Sequence, residues 1–220
     1  MVQNYKKSIL ITGSSGLLGI SLNSYLKKYY NVIPTTTRRR DKDKYSLDIT
    51  DKNHVKKILF NLKPDYIVNA AAMTNVDQCE IDKESAYNVN VNGLHNIIRF
   101  SQKQCKIIQV STDFIFDGKK TSFKEDDTPN PLNYYGKTKL EAENILRSSN
   151  RDYIIFRTSH LFDNKMNNFY TWVLKSMKLG LPLSVVTDQE TNPTWTWSLT
   201  EAIYKSILNN LSGVFHYCSD

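Results

Sequence analysis

Three glycines spaced three apart, Gly13, Gly16 and Gly19, stand between an apolar run of strand length, Ser8 to Thr12, and a stretch whose Leu18, Leu22, Tyr25, Leu26 and Tyr29 share one helical face. A Cβ at such positions would block the tight turn, the approach of a pyrophosphate to backbone N–H groups, or the packing of helix on strand. The strand-turn-helix context close to the N-terminus is the one that dinucleotide binding demands. Gly13, Ser15, Gly16, Leu17, Leu18 and Gly19 are therefore expected to contact a cofactor, with the first helix directing its N-terminus at the phosphates. The alternative is a glycine-rich turn that binds nothing.

Behind this turn, apolar runs alternate with helix-length periodic stretches, the signature of a parallel α/β sheet. Strands are expected at 8–12, 31–36, 65–69, 106–111, 152–157, 183–186 and 214–217. Helices are expected at 51–62, 83–102, 135–147, 167–179 and 198–211. The first of these is capped at Thr50 or Asp51 and stopped near Pro64. Glu143 and Arg147 stand at i,i+4 spacing for a surface pair. The long connection 112–134, rich in Asp, Gly and Pro, exceeds ordinary loop length and so points to function. The fold class is α/β, a Rossmann-type doubly wound parallel sheet.

Composition excludes several functions. A mean hydropathy of -0.47 and the lack of any apolar run of ~18 residues rule out a membrane-spanning helix. The polar start runs straight into a strand, so no secretory signal is expected and the cytoplasm is the default compartment. Cys79, Cys105 and Cys218 have no metal-ligand spacing, which argues against a disulfide or zinc scaffold. The net charge of +7 favours anionic partners, but the arginines cluster in one turn and no nucleic-acid motif is present, so nucleic-acid binding is not expected.

An acid about 20 residues beyond the glycines would accept the ribose hydroxyl of NAD. Here the second strand ends in Thr35-Thr36-Thr37-Arg38-Arg39-Arg40. Guanidinium groups fork a phosphate well, so NADPH is expected, with Arg38 as its first contact and Arg39 next; NADH is the alternative. A solvated basic turn is the plainer explanation of the same residues.

Tyr135 and Lys139 lie one helical turn apart on a shared face. A phenol titrates near 10, too high for easy proton exchange at neutral pH, and a nearby ammonium would lower it. On this reading Tyr135 gives a proton to a carbonyl oxygen, while Lys139 tunes it and holds the nicotinamide ribose. Thr112, at the carboxyl edge of the fourth long strand, can hydrogen-bond the same carbonyl. The three form the expected catalytic set.

Gly13, Gly16, Gly19, Thr112, Tyr135 and Lys139 together resemble the extended short-chain dehydrogenase/reductase family. The segments PDYIVNAAAMTNVDQCE, STDFIFDG, YGKTKLEAE, Arg157-Thr158-Ser159 and DQETNPT are similar to its dTDP-4-dehydrorhamnose reductase branch. The resemblance implies NADPH-dependent reduction of a 4-keto-6-deoxy nucleotide sugar in dTDP-rhamnose biosynthesis. It also implies that Asp48 and Ile49 flank the adenine and that Ala70, Ala71 and Ala72 line the cofactor cleft. Thr74, Val76, Thr112, Asp113 and His160 would face the sugar. Tight strand-helix packing is the alternative for the alanines and a loop cap for Asp113; Asn90 matches a family asparagine in the helix behind the site, where a satisfied core amide is the alternative to a catalytic role.

Three residues depart from the branch. His160 replaces a frequent aromatic, Phe114 a frequent tyrosine, and Ser21 a glutamate that some members use in a magnesium-bridged dimer, so no metal is expected. The resemblance divides the chain into a cofactor domain, 1–160, and a partial substrate-binding region, 161–220, interleaved with the last sheet elements. The branch continues past a segment like 213–217, so the C-terminal region is expected to be incomplete and the 220-residue form to bind cofactor but turn over slowly. A homodimer is an open expectation. A second reading, from Asp117-Gly118 through Pro131-Leu132 and from Tyr135 to Leu140, is similarity to the regulatory β subunit of methionine adenosyltransferase, an NADP-binding protein that supports a partner enzyme. Another epimerase or reductase of the same family is a third.

Overall fold

The computed structural model describes residues 6–37 and 45–219. Its strands are β1 (Ser8–Thr12), β2 (Asn31–Thr36), β3 (Tyr45–Ser46), β4 (Tyr66–Asn69), β5 (Lys106–Thr112), β6 (Tyr153–Thr158), β7 (Leu161–Phe162), β8 (Thr194–Trp195) and β9 (Gly213–His216). Among the described residues, seven of them form one sheet in the order β3-β2-β1-β4-β5-β6-β9, every pair parallel. The chain winds outward from β1 in one direction and then, from β4, in the other. That reversal opens a crevice at the carboxyl ends of β1 and β4, where open α/β sheets hold ligands.

Strand side chains alternate between two buried layers. Leu10, Ile67, Ile107 and Ile155 pack under α2 (Lys52–Leu62), α5 (Gly93–Phe100) and α6 (Tyr134–Arg147). Ile9, Ile11, Val68, Ile108 and Phe156 pack under α1 (Leu17–Leu26) and α8 (Thr196–Leu208). Being covered on both faces is why these strands read as continuous apolar runs. The α2 helix begins at an Asp51 cap that accepts from the Asn53 and His54 amides, and ends where Lys63, at φ 41°, adopts the left-handed conformation before Pro64.

Several expectations are corrected. The helix expected over 83–102 is α4 (Lys83–Tyr87), a π-helical turn (Asn88–Asn92) and then α5. An additional helix, α3 (Val76–Ile81), precedes it, capped by the Asn75 side chain. The strand expected over 183–186 does not form: the segment is irregular, with Leu183, Val185 and Val186 exposed. Instead β7 and β8 make a two-stranded parallel pair beside the main sheet. Further along, α8 packs on α1, and β9 pairs with β6 in the main sheet. No helix among the described residues is long and apolar enough to cross a membrane.

Candidate active site

The glycine turn forms a cradle at the crevice. Gly13 adopts φ +64°, and a Cβ there would come within 3.0 Å of the Ala70 carbonyl and the Ala71 Cα, so the turn is pressed against the end of β4. A Cβ on Gly19 would meet the Gly13 carbonyl and lie 2.6 Å from the Ser14 Cα, so glycine is what lets α1 close onto the turn. Gly16 is the N-cap of α1 and contributes no side chain, leaving the helix N-terminus bare of side-chain caps. The Ser14 amide and hydroxyl both donate to the Thr35 carbonyl at 2.9 Å, which ties the turn to β2. Ser15 shares a 2.9 Å hydrogen bond with Thr36. A cradle that any Cβ would fill, at an uncapped helix N-terminus, fits a dinucleotide pyrophosphate held by backbone around Gly13, Ser15, Gly16, Leu17 and Leu18.

Small residues continue the crevice. Ala70, Ala71 and Ala72 follow β4 and are partly buried. The floor beneath them is a buried polar chain: Thr12 Oγ1 donates to Asn69 Oδ1 at 2.6 Å, Asn69 Nδ2 to Gln109 Oε1 at 2.8 Å, and Gln109 Nε2 to the Val110 carbonyl at 2.9 Å. The Ala71 amide closes it by donating to Thr12 Oγ1 at 3.2 Å. This chain fixes the ends of β1, β4 and β5 relative to one another, and sequence reasoning missed it. Of the two residues expected at the adenine, exposed Asp48 accepts from the Thr50 amide and hydroxyl, while the Ile49 side chain is buried in the core. Arg38 and Arg39 lie outside the described residues.

At the end of β5 the expected catalytic residues come together. Asn133 caps α6 by accepting from the Gly136 amide at 2.7 Å, and Gly136 permits close approach, since a Cβ there would meet the Phe114 carbonyl and lie 3.0 Å from Pro131. Tyr135 is thereby turned inward onto Cys79, Ala86, Val76 and Phe114. Burial pushes its phenol well above the usual range, and a hydrogen bond with Thr112 pulls the other way. The expected lowering by Lys139 is not what governs this phenol. The Lys139 ammonium is itself buried and donates to the Val110 carbonyl at 2.7 Å. Its loss of hydration brings it down to about 8, with Glu143 opposing the fall. Thr112 Oγ1 accepts from the Phe114 amide at 3.2 Å and donates to Asp113 Oδ1 at 3.2 Å. Asp113 stands at the mouth of the crevice, where crowding by protein atoms raises its carboxyl above the ordinary range.

Other expected residues take plainer places. Asn90, in the π-helical turn, accepts from the Met73 amide at 2.8 Å and donates to the Met73 carbonyl and to Thr138 Oγ1, so it clamps the β4–α3 loop to α6. Such π-turns recur at functional sites. Thr74 is exposed on that loop and Val76 packs with the Tyr135 cluster. His160 is exposed at the rim, edge-on to Phe114 with ring centres 6.0 Å apart and 3.4 Å from Thr191 Oγ1. Ser21 is buried and shares hydrogen bonds with Thr196 and Asp163 inside the fold. The surface pair expected between Glu143 and Arg147 is replaced by a buried one: Arg157, 3% exposed, donates from Nη2 to fully buried Glu143 at 2.8 Å. The signal for it was present, because an arginine inside the apolar run of β6 requires a partner.

A family model described as the RmlD substrate binding domain matches residues 7–220. The chain belongs to that family. Among its RmlD relatives, the dTDP-4-dehydrorhamnose reductase of Aggregatibacter actinomycetemcomitans is 39% identical over 199 residues, covering 89% of this chain and 65% of that protein. The crystal structure of a dTDP-4-dehydrorhamnose reductase from Clostridium acetobutylicum superposes with a TM-score of 0.89 at 38% identity, over 97% of this chain and 74% of the other. The Bacillus anthracis dTDP-4-dehydrorhamnose reductase, solved in complex with NADP, gives a TM-score of 0.90 at 32% identity over 98% and 75%. These RmlD structures share the parallel sheet and its flanking helices, and the Rossmann-type fold expected from the sequence stands.

Proposed function

We propose that this chain is an NADPH-dependent reductase that acts on the 4-keto group of a 4-keto-6-deoxy nucleotide sugar, dTDP-4-dehydrorhamnose being the preferred substrate. The observation that carries this reading is the meeting of Thr112, Tyr135 and Lys139 at the carboxyl end of β5, beside a glycine cradle at the sheet's reversal point. The relatives named as dTDP-4-dehydrorhamnose reductases, one of them bound to NADP, support both the substrate class and the cofactor.

When bound, the reduced nicotinamide supplies the hydride for the carbonyl carbon. Tyr135 delivers its hydroxyl proton to the carbonyl oxygen. Its raised pKa keeps the phenol protonated until that step, as a general acid in the reducing direction requires. Thr112 holds the same oxygen by a hydrogen bond and orients Tyr135. Lys139 presents a buried positive charge one helical turn away, which stabilises the phenolate that remains.

In this reading residues 1–160 form the cofactor domain, and 161–220 contribute the first part of the sugar-binding region interleaved with α8 and β9. Thr74, Val76, Asp113 and His160 border the sugar. The exposed Phe169, Trp172 and Met177 on α7 (Phe169–Lys178) suit a covered surface, and we include a homodimer and a cytoplasmic location in the proposal.

The test is NADPH oxidation by the protein supplied with dTDP-4-dehydrorhamnose. Tyr135→Phe should lower the rate by about 10²- to 10⁴-fold with cofactor affinity unchanged. Equal rates in the two proteins would remove Tyr135 as the proton donor.

A further inference from the structure

Ser111 and Arg157 are paired across β5 and β6, and both grip the same carboxylate. Glu143 Oε1 accepts from Ser111 Oγ at 2.5 Å, while Arg157 donates from Nη2 at 2.8 Å and from Nε at 3.2 Å. Tyr135, Lys139 and Glu143 follow one another at i, i+4 and i+8 along α6, so they share a face. Adjacent residues of β5 hold successive turns of that face: the Val110 carbonyl takes Lys139 and the Ser111 hydroxyl takes Glu143. Arg157 cannot swing away, because its Nη1 donates to the Glu125 carbonyl at 3.0 Å.

We infer that Glu143 is a positioning residue for the reduction, holding Lys139 as a buried ammonium against Val110 and locking α6 to β5 in the register that brings Tyr135 to Thr112. The role in turnover rests on the reductase reading given above. An ion pair that only joined α6 to β6 could sit anywhere along the helix. This one sits a single turn from the lysine, and its carboxylate is also held by Ser111, the neighbour of Thr112 on β5. The titratable and charged groups around that face are Tyr135, Cys79, Asp113, Arg157 and Glu143. Of these, it is the negative charge of Glu143 that acts against the burial of Lys139.

The experiment is a titration of lysine ε-carbon resonances in the full chain, with Lys139 identified by the signal missing from Lys139→Arg. In the unsubstituted protein Lys139 should titrate near 8. In Glu143→Gln it should titrate at least about one pH unit lower, and the alkaline limb of kcat should move with it while the KM for NADPH stays put. Glu143→Asp keeps the charge beside Arg157 but shortens the reach, so Lys139 should titrate near its original pH while kcat falls. Unchanged Lys139 titration in Glu143→Gln overturns the inference; should that variant not fold, unchanged kcat in Glu143→Asp does so. The resonance titration needs no substrate, so it stands apart from failure of the reductase reading, which would appear as absence of turnover in the unsubstituted protein.

Discussion

The Lys139 ammonium is anchored to the Val110 carbonyl at 2.7 Å, two residues before Thr112 on the same strand. Holding a charge there costs stability, because burial brings Lys139 from 10.5 down to about 8. Lys139→Met should therefore raise folding stability at pH 7 by roughly 2 kcal/mol after allowing for the lost hydrogen bond, while abolishing turnover. The pH dependence gives a sharper signature. Between about pH 8 and 10.5 the unfolded chain keeps the Lys139 proton and the native chain has released it. The unfolded state then binds more protons, so the unsubstituted protein gains stability as pH rises through this window and loses that gain as pH falls through about 8. Denaturant unfolding at a series of pH values should show the gain shrinking in Lys139→Met, and an identical slope in both proteins would contradict the buried ammonium.

At the glycine cradle the expected outcome is severe. A methyl group on Gly19 would strike the Gly13 carbonyl and the Ser14 Cα, both backbone, so no rotamer change can relieve it. Gly19→Ala should cost roughly 3 kcal/mol and lower cofactor affinity, because α1 must lift from the turn proposed to hold the phosphates. Gly118→Ala is the control. Unlike Gly19 it has a positive φ, +69°, but its Cβ would meet open space, so it should cost only about 1 kcal/mol and leave cofactor binding intact. Thermal unfolding and the fluorescence of bound NADPH read both effects.

Asn90 joins two parts of the site without touching the crevice floor. Asn90→Ala removes three hydrogen bonds and leaves the Met73 amide unpaired beneath the β4–α3 loop. We expect a loss of about 1 to 3 kcal/mol and a higher KM for the sugar, since Thr74 lies on the loop it holds and Val76 begins the helix that follows. Amide exchange at Met73 should quicken in the variant, and unchanged protection there would remove the clamp.

How much of this could be read from the sequence follows from where each signal resides. β1 runs over the expected residues, 8–12, because a doubly covered parallel strand leaves an unbroken apolar record, and β2 over 31–36 although Pro34 and two threonines interrupt its apolar run. The apolar residues of 183–186 left a similar record without a strand, since pairing depends on an edge that only the fold supplies. The short helix α3 and the two-residue strands β7 and β8 are too brief for periodicity to register. At the site, the spacing of Tyr135 and Lys139 and the strand-end position of Thr112 were readable in the sequence, and the structure brings the three to one end of β5. The Glu143–Arg157 pair was legible only in part: an arginine inside β6 demands a partner, but nothing local in the sequence says which acid on α6 supplies it.

Cofactor choice is expected to rest on the basic residues that follow β2 in the sequence. Thr35 and Thr36 are committed to the glycine turn, through the Thr35 carbonyl and the Thr36 hydroxyl, and neither supplies a carboxylate for a ribose hydroxyl. The protein should therefore bind NADPH more tightly than NADH. Arg38→Ala should weaken NADPH by about tenfold or more, the loss of one charge-assisted contact, and barely alter NADH. Equal loss for both cofactors in titration would assign Arg38 to the fold instead.

The Glu143–Arg157 pair separates stability from function. Arg157→Met leaves a carboxylate buried with only Ser111 to satisfy it, and should cost about 3 to 5 kcal/mol. Replacing both partners, as Glu143→Leu with Arg157→Met, removes the stranded charge along with the attraction. Because desolvation of two ions offsets much of their mutual gain, the double variant should recover most of the stability lost by the single one. The coupling read from such a cycle should exceed about 1 kcal/mol, as expected for residues in direct contact. Activity should not recover with stability, since the apolar pair restores packing between α6 and β6 but returns neither the carboxylate beside Lys139 nor the acceptor for Ser111. Chemical denaturation of the four proteins, set beside their NADPH oxidation rates, tests both halves, and a stable double variant with full activity would show that the pair serves the fold alone.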